Sequence, residues 1–463
     1  MRPTLLLADV EVDGRRTDVE IDDGVVSAVA PGLPRSGREQ VVHGRGGALI
    51  PGLHDHHVHL LAAAAAHSSI DCGPAAVVDL AGLGRALRGA ATRGDRTLRG
   101  VGYHESVAGP LDRHLLDGLV RDRPVRIQHR SGALWMLNSL ALAHVARLLD
   151  HSPDVERDER GAPTGRLWRY DARLGPAWAD RPPDLAALGR RLTRLGITGV
   201  TDATPDLTPA SAELIARAVG ADELPVRVML LGTNRTEDLL LGPRKLLLRD
   251  HDLPGYDELR DAVAEAHGAG RPVAVHCVTR QSLLLTLAVL DEVGALPGDR
   301  LEHAAVVPEG IAPRIARLGL SVVTQPDFLR TRGDTYLDEV DPRDRQLLYP
   351  YASLAAAGVR VTASSDAPFG ELDPWRVIRS ATRRTTAGGR LIGPAESVTA
   401  AAALAGYLSD PESPGGRPRT VRPGAPAELC LLHTPLARAL AEPSADLVRA
   451  VVSRGGYRPA AAE

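Results

Sequence analysis

The chain has 463 residues, of which 44% are hydrophobic and 24% are charged, and its formal net charge is −3. This length accommodates two or three ordinary domains or one barrel with additions, and the composition is that of an ordinary globular protein. A charge this close to neutral argues against nucleic acid as a partner. Because no window approaches 18 uninterrupted apolar residues, we expect no membrane partner either.

The cysteines and the N-terminus bear on the compartment. Cys72, Cys277 and Cys430 are far apart and odd in number, which argues against a disulfide framework and fits a reducing environment. The opening run MRPTLLLADVEVDGRR is only briefly apolar and soon turns acidic, unlike a signal peptide. We therefore predict a cytoplasmic location.

Both ends of the chain alternate apolar and polar residues. Near the N-terminus the runs TLLLADVEV and TDVEIDDGVVSAVAP are punctuated by Asp-Gly pairs, a pattern typical of β-hairpins. ELCLLHTPL and LVRAVVSRGGYRP repeat the pattern near the C-terminus. We predict that residues 1–48 and 415–463 together form one small β-sandwich domain.

Residues 49–414 alternate short apolar runs with helix-like segments. Most of the runs are continuously apolar, as expected for strands buried on both faces. The pattern predicts an α/β fold built on a (β/α)8 TIM-like barrel, with a large insertion at about 61–190, after the first strand. The eight runs are ALIPGLHDH, GITGVTDA, PVRVMLL, RKLLLR, PVAVHC, RLEHAAV, LSVVTQ and VRVTASSD.

The first run leads into HDHHVH. Successive strand residues point to opposite faces, so His57 and His59 lie on one face and can bind one metal ion. A lone His-x-His motif is weak, and an exposed histidine-rich turn is the alternative. Its position at the carboxyl end of a strand favours the metal, because active sites of such barrels lie there.

Three later runs also end on metal-ligating residue types. His276 ends PVAVHC, His303 lies in RLEHAAV, and Asp366 lies in VTASSDAP. One histidine after an apolar run is more often an ordinary core or surface residue. Three separate strand ends together favour a site for zinc or a related divalent ion.

Lys245, on the fourth run, is the only lysine among 55 basic residues. A lysine can lose its proton when buried and react with carbon dioxide to give an anionic carbamate that bridges two metals. Arginine stays protonated and cannot do this. The alternative is a lysine that persists by chance at a surface edge.

With this set of residues the chain resembles the amidohydrolase superfamily. LIPGLHDHHVHL resembles the opening motif of that superfamily, and VRPGAPAELCLL resembles its return to the β domain. SGALWMLNSLAL, GAPTGRL and SSDAPFGELDPW are similar to the branch that contains N-substituted formamide deformylases. This chain departs from the branch pattern at His104, Ala133 and Arg280-Gln281. The resemblance therefore supports an inference about the metal site more strongly than an inference about the substrate.

The resemblance implies the following site. His57 and His59 hold one metal, His276 and His303 hold the second, carboxylated Lys245 bridges them, and Asp366 is both a ligand and the proton shuttle. It implies two zinc ions, with a single metal as the alternative. The nucleophile would be a metal-activated hydroxide.

Four further residues are candidates for contact with a small-molecule substrate. Arg280 follows a strand end and could pair with a carboxylate, although a place on a helix surface explains it equally. Gln325 ends the seventh run. If strand parity holds, its side chain faces the opening at the carboxyl ends of the barrel strands. Tyr103 and Trp135 are large groups in a chain with 3% aromatic residues, where core filling is the alternative.

These observations predict an enzyme that hydrolyses a C–N bond of an amide, formamide or cyclic amide. The alternatives are a metal-dependent lyase, decarboxylase or isomerase on the same scaffold, since a fold does not determine its chemistry. A scaffold that has lost its activity is a third reading, against which the complete ligand set argues. A homodimer is also possible for this class.

Overall fold

The computed structural model describes residues 4–35, 37–91, 97–178, 182–205, 207–232 and 239–460. The chain divides into two compact units. The larger unit comprises Met1–Leu61 and Leu185–Glu463, and the smaller unit comprises Ala62–Asp184. The predicted domain boundaries at 48 and 415 stay a prediction.

In chain order the strands are β1 (Leu5–Val12), β2 (Arg15–Asp22), β3 (Val25–Ala30), β4 (Gln40–His43), β5 (Leu49–Pro51), β6 (Leu53–Val58), β7 (Ile70–Asp71), β8 (Leu98–Tyr103), β9 (Val125–His129), β10 (Leu134–Leu137), β11 (Val155–Arg157), β12 (Pro163–Trp168), β13 (Ile197–Asp202), β14 (Arg227–Leu230), β15 (Leu240–Leu241), β16 (Arg244–Leu246), β17 (Val273–Cys277), β18 (Arg300–His303), β19 (Ser321–Thr324), β20 (Arg360–Ala363), β21 (Leu429–Leu432), β22 (Val448–Ser453) and β23 (Gly456–Pro459).

The α-helices are α1 (Leu60–His67), α2 (Leu80–Ala91), α3 (Glu105–Ala108), α4 (Arg113–Leu119), α5 (Ser139–His144), α6 (Asp171–Ala177), α7 (Leu185–Arg194), α8 (Pro209–Gly220), α9 (Tyr256–Gly268), α10 (Arg280–Val293), α11 (Ala312–Arg317), α12 (Asp327–Glu339), α13 (Ala352–Ala356), α14 (Pro374–Arg383), α15 (Ala400–Tyr407) and α16 (Leu436–Ala441).

Two sheets of the larger unit come from the ends of the chain. One has the order β3-β2-β1-β4 and the other β23-β22-β21-β5. Asp13-Gly14 and Asp23-Gly24 make the turns of the first sheet, and all four residues have positive φ, as type I′ hairpin turns require. Apolar residues from both ends, such as Val19 and Leu431, share one buried core.

The larger unit also contains two parallel sheets. Their orders are β15-β14-β13-β6 and β16-β17-β18-β19-β20. Each of the eight apolar runs predicted from the sequence overlaps one of these strands. Helices separate consecutive strands, as α9 does for β16 and β17 and α10 does for β17 and β18, so the predicted α/β class is confirmed.

Hydrogen bonds connect the edges of these two sheets. The Lys245 amide on β16 donates to the Leu231 carbonyl, just after β14, at 2.8 Å. At the other edge, the Asp366 amide donates to the His57 carbonyl at 2.9 Å, and the His59 amide donates to the Ala367 carbonyl at 2.8 Å. The carboxyl ends of β6 and β20 are therefore adjacent.

The smaller unit contains a mixed sheet of order β11-β12-β10-β9-β8-β7. β7, β8 and β9 run parallel, and the remaining pairs are antiparallel. Ile127 and Met136 on one face pack into a core with α2 and α4. Trp135 and Leu137 on the opposite face pack into a second core with residues of α5 and α6. Among the residues described, no helix has the length and apolar character needed to cross a membrane.

Candidate metal centre

The predicted ligands lie at the carboxyl ends of parallel strands in the larger unit. His57 is on β6, Lys245 on β16, His276 on β17 and His303 on β18, while Asp366 follows β20. Because parallel strands present their carboxyl ends at one edge, side chains far apart in sequence meet there. Lys245, His57, His303 and Asp366 are all buried.

Three of these residues form the centre of the cluster. Nitrogen or oxygen atoms of His57, His303 and Asp366 lie within 4.8 Å of one another. His57 Nε2 is 3.5 Å from Asp366 Oδ1, and His303 Nδ1 is 3.9 Å from Asp366 Oδ2. One divalent ion needs such a convergence of imidazole and carboxylate donors.

His59 and His276 extend the cluster on two sides. His59 Nε2 is 3.2 Å from Asp366 Oδ1, and its Nδ1 is 3.2 Å from the Thr204 hydroxyl. His276 Nδ1 is 2.9 Å from His303 Nε2. The structure therefore brings together the four predicted histidines and the aspartate.

Lys245 is buried beside these residues. Its Nζ has no hydrogen-bond partner within the described part of the chain. Burial lowers the pKa of Lys245, although the negative charge of Glu302 opposes this effect. The positive charge of Lys245 in turn contributes to lowering the pKa of both His57 and His276. A buried amine of lowered pKa has a larger neutral fraction, the form that reacts with carbon dioxide.

Glu302 orients His57. Burial lowers the pKa of His57 to about 3, so the ring is neutral. Its Nδ1 makes a short hydrogen bond with Glu302 Oε2. Burial alone would raise the pKa of Glu302, but the charges of Arg300 and Lys245 outweigh it and hold that pKa well below its usual range. An ionised Glu302 only accepts, so we assign the proton to Nδ1 of His57, which leaves the Nε2 lone pair for a metal.

Gln325 orients His303 in the same way. Gln325 Oε1 is 2.7 Å from His303 Nδ1, while Gln325 Nε2 donates to the Ser364 hydroxyl at 2.9 Å. The second contact supports the amide orientation in which Oε1 accepts from His303. Gln325 is thus a neighbour of a predicted ligand, and its predicted contact with substrate stays a prediction.

The backbone is unusual at two predicted ligands. His303 has φ of 68° and Asp366 has φ of 53°. Non-glycine residues rarely adopt this left-handed region, and such residues often occur at functional sites where the surrounding structure holds them in place.

Several supporting residues were not recognised in the sequence. Arg300 and Glu302 are both buried on β18, and Arg300 Nε donates to Glu302 Oε1 at 2.5 Å. Asp55 is also buried, and its Oδ1 accepts from the amides of His57 and Ser365 at 3.2 Å. The available signal was charge in an otherwise apolar strand, because buried charges require partners.

The two other histidines of HDHHVH face away from the cluster. His56 Nε2 lies 3.2 Å from the Gly406 carbonyl on α15, as strand parity predicts. His54 Nε2 lies 2.8 Å from the Thr201 hydroxyl on the neighbouring strand. Both rings are buried and hydrogen bonded, so they serve the packing of β6 rather than a solvated turn.

The remaining predicted substrate residues lie as follows. Arg280 is the first residue of α10 and forms an ion pair with Asp344. Tyr103 is buried in the smaller unit, where its hydroxyl donates to the Gly109 carbonyl at 2.6 Å. Trp135 is buried there too and donates to Asp171 at 2.9 Å. Their contact with a substrate stays a prediction.

The smaller unit holds a second group of ligand-type residues. Ligand atoms of His104, Glu105 and His129 lie within 4.8 Å of one another. His129 Nε2 is 3.0 Å from Glu105 Oε2, so a hydrogen bond accounts for this contact.

The residues of the main cluster fit a bound metal. Imidazole nitrogens and a carboxylate are the ligands of zinc and related ions. Lys245 Nζ is buried without a hydrogen-bond partner within the described ranges, and Asp366 Oδ1 is buried with the imidazole nitrogens of His59 and His57 at 3.2 Å and 3.5 Å. His276 and His303 face each other through ring nitrogens at 2.9 Å, an arrangement in which at least one lone pair is available.

Comparison with known proteins assigns the family. A model of the amidohydrolase family matches residues 40–456. The chain belongs to the amidohydrolase family. An N-substituted formamide deformylase of Arthrobacter pascens is 29% identical over 472 residues, covering 87% of this chain and 85% of that protein. The resemblance to that branch, and the prediction of a metal-dependent amidohydrolase, are thereby confirmed.

Two solved structures share the fold of this chain. A metal-dependent hydrolase from Pyrococcus horikoshii OT3 is 18% identical, with a TM-score of 0.73 and coverage of 98% of this chain and 100% of that one. The atrazine chlorohydrolase TrzN from Arthrobacter aurescens TC1, complexed with zinc, is 16% identical, with a TM-score of 0.52 and coverage of 99% and 97%. At these identities the likeness concerns the fold.

Proposed function

We propose that this amidohydrolase cleaves a C–N bond in a small molecule, an amide, formamide or cyclic amide, by metal-dependent hydrolysis. The observation that carries the proposal is the convergence of His57, His303 and Asp366 within 4.8 Å. The similarity to an N-substituted formamide deformylase favours formamides as the first substrates to test. The cytoplasmic location and the homodimer stay predictions.

The proposal includes a barrel architecture. The eight strands β6, β13, β14, β16, β17, β18, β19 and β20 would form a closed (β/α)8 barrel. Support comes from the hydrogen bonds at both edges of the two parallel sheets, Lys245 to Leu231 and Asp366 to His57. A closed barrel brings all strand ends around one opening, which explains why ligands from β6 and β18 meet.

The proposed ligand set is that of two zinc ions. His57 and His59 would hold one ion, His276 and His303 the other, with Asp366 as a ligand and Lys245 as the bridge. To bridge, the neutral Lys245 amine would attack carbon dioxide, forming an N–C bond and releasing one proton. Its burial without a partner supports this, because the carbamate supplies the negative charge and oxygen donors that an ammonium lacks.

A bound metal ion supplies a water of lowered pKa and polarises a carbonyl group. The chain supplies the proton transfer. Burial would raise the pKa of Asp366, but His57, His59 and His303 outweigh this and hold that pKa well below its usual range. Asp366 is thus ionised at neutral pH, and its Oδ1 can accept a proton from the attacking water and return it to the leaving nitrogen.

The proposal is tested with the purified protein and a panel of N-substituted formamides and N-acyl amines. We expect release of amine and carboxylate in equal amounts. Asp366→Asn should lower kcat by roughly 10²–10⁴-fold, because removal of the proton acceptor stops the transfer. Asp261→Asn, at an exposed residue of α9 that pairs with Arg260, is the matched control and should keep its activity.

Other product patterns would contradict this function. Release of carbon dioxide would identify a decarboxylase, and a product of unchanged mass would identify an isomerase. Retained activity in Asp366→Asn would remove the proposed proton transfer while leaving the family assignment intact.

A further inference from the structure

The mixed sheet of the smaller unit has a charged face. Strand alternation sends Val125 and Ile127 of β9 into the core that packs on α2 and α4. Arg126 and Gln128 therefore point to the opposite face. This is the face on which Trp135 of β10 lies, since Trp135 is the register partner of Gln128.

Two arginines lie side by side on this face. Arg99 of β8 and Arg126 of β9 are register partners in a parallel pair. Neighbouring strands are about 4.8 Å apart, so like charges at such positions repel. Both guanidinium groups lie 5.4 Å from the centre of the Trp135 ring. Because this repulsion lowers the stability of the fold, we expect an anion to compensate the two positive charges.

Asp171 compensates only part of this charge. Its Oδ1 accepts from Trp135 Nε1 at 2.9 Å and from Gln128 Nε2 at 3.0 Å. Arg99 donates instead to the Ser69 hydroxyl at 2.5 Å and to Gln128 Oε1 at 3.4 Å. Two guanidinium groups against one carboxylate leave one positive charge. Burial lowers the pKa of Arg126 to about 10, which leaves it charged at neutral pH.

Two donors on this face lack acceptors. Arg126 Nε and Trp178 Nε1 are buried, and neither has a hydrogen-bond partner in the described part of the chain. The Arg126 guanidinium lies 4.8 Å from the Trp178 ring centre, so the two donors are neighbours. A buried donor without an acceptor costs about 1–3 kcal/mol, and more when it is charged.

We propose that Arg126, between Trp135 and Trp178, binds the carboxylate of a small molecule that carries a flat apolar group. The guanidinium fork matches a carboxylate in a bidentate pair, and Trp178 Nε1 offers a third donor. One net positive charge matches a monoanion, and the indole rings of Trp135 and Trp178, whose centres lie 5.4 Å and 4.8 Å from the Arg126 guanidinium, would contact the group attached to it. This site does not depend on the hydrolytic function proposed for the larger unit.

Binding is tested on the full-length protein with benzoate as the probe, by calorimetry and by tryptophan fluorescence. We expect saturable binding of benzoate, much weaker binding of the neutral isostere benzamide, and weaker binding of inorganic phosphate. Arg126→Met should lower the benzoate affinity at least about tenfold, because a hydrogen bond to a charged group is lost. Arg147→Met, an exposed arginine of the same unit, is the matched control and should bind benzoate normally.

A purely structural role for Arg126 gives a different result. In the absence of ligand, Arg126→Met should keep or raise the melting temperature, because an apolar side chain replaces a cation whose buried Nε has no acceptor among the described residues. Should that variant fail to fold, Arg126→Lys keeps the charge, loses the fork and should still lose affinity. Absence of saturable benzoate binding, equal binding of benzamide, tighter binding of phosphate, or full benzoate affinity in the Arg126 variants would each overturn the proposal.

Discussion

At the scale of single residues, the centre depends on groups that burial deprives of water. Lys245 Nζ is buried without a hydrogen-bond partner in the described chain, and the Asp366 carboxylate is buried among the imidazole rings of His57, His59 and His303. Such groups are costly unless a ligand or ion satisfies them. Around them, Glu302 and Gln325 each hold one imidazole by its Nδ1. The Nε2 lone pair of His57 is thus left for a metal, while His303 Nε2 lies 2.9 Å from His276 Nδ1. A metal site needs this second set of contacts as much as its ligands.

Replacement of Lys245 tests the bridge. Lys245→Arg keeps the positive charge but cannot form a carbamate, so we expect the metal content to fall by one or two equivalents per chain in elemental analysis. Arg244→Lys is the matched control on the same strand, where Arg244 forms an ion pair with Glu265, and should keep its metal. Full metal occupancy in Lys245→Arg would exclude the bridging role.

Replacement of Glu302 tests its role as a positioning residue. Glu302→Gln removes the charge that fixes the His57 tautomer, so metal affinity should fall by roughly 10–100-fold in competition titrations. At saturating metal, kcat should recover, although the metal affinity of the variant stays lowered. Exposed Glu309→Gln is the control. An unchanged affinity together with a lowered kcat would instead place Glu302 in the chemistry.

At the scale of elements, short parallel strands place the site. β16 has three residues and β18 has four, so each contributes one or two inward side chains and then ends. The ligands lie in these last positions or just after them.

In the smaller unit, Asn138 joins a strand to a helix. Its Oδ1 accepts from the Val125 and Ala141 amides at 2.9 Å, and its Nδ2 donates to the Arg123 carbonyl at 2.9 Å.

Asn138 is therefore expected to be important for stability. Asn138→Ala removes the N-cap of α5 and leaves buried backbone groups without partners, so the free energy of unfolding should fall by about 2–4 kcal/mol. Asp112→Ala removes the N-cap of α4, a less buried residue, and should cost about 1 kcal/mol. Urea unfolding followed by circular dichroism measures both. Equal losses would show that the additional bonds of Asn138 contribute little.

At the scale of the whole molecule, the metal centre would couple folding to activity, because its proposed ligands come from five segments that are distant in the sequence. A ligand that binds only the folded state stabilises it by about 2.7 kcal/mol when its concentration is 100 times its Kd. Treatment with a chelator should thus lower the melting temperature and abolish hydrolysis. Scanning calorimetry and a product assay measure the two effects.

Reconstitution with zinc then distinguishes two metal ions bridged by carboxylated Lys245 from a single metal ion. Zinc with bicarbonate should restore activity, whereas zinc in buffer free of carbon dioxide should restore much less, since Lys245 could not be carboxylated. Equal recovery in the two buffers would favour a single ion that does not need the bridge. No change in melting temperature on chelation would argue against a resident metal.

Much of the site could be predicted from the sequence. The eight strand segments are visible as apolar runs, because burial on both faces leaves a local signal in composition. The histidines and Asp366 at strand ends, and the isolated lysine, are visible because their chemistry is distinctive. The partners Glu302 and Gln325 were not recognised as supporting residues, since an acid or amide in a strand does not reveal which side chain it will meet.

The sequence by itself thus determined the order of strands and helices, the residue types available to a metal and the family to which the chain belongs. Only the tertiary structure decided which nitrogen of His57 is free, that Lys245 lacks a partner, and that Arg126 lies between two tryptophans. The physical reason is distance along the chain. His57 and Glu302 are separated by 245 positions, so their hydrogen bond depends on how the strands are arranged rather than on any local pattern.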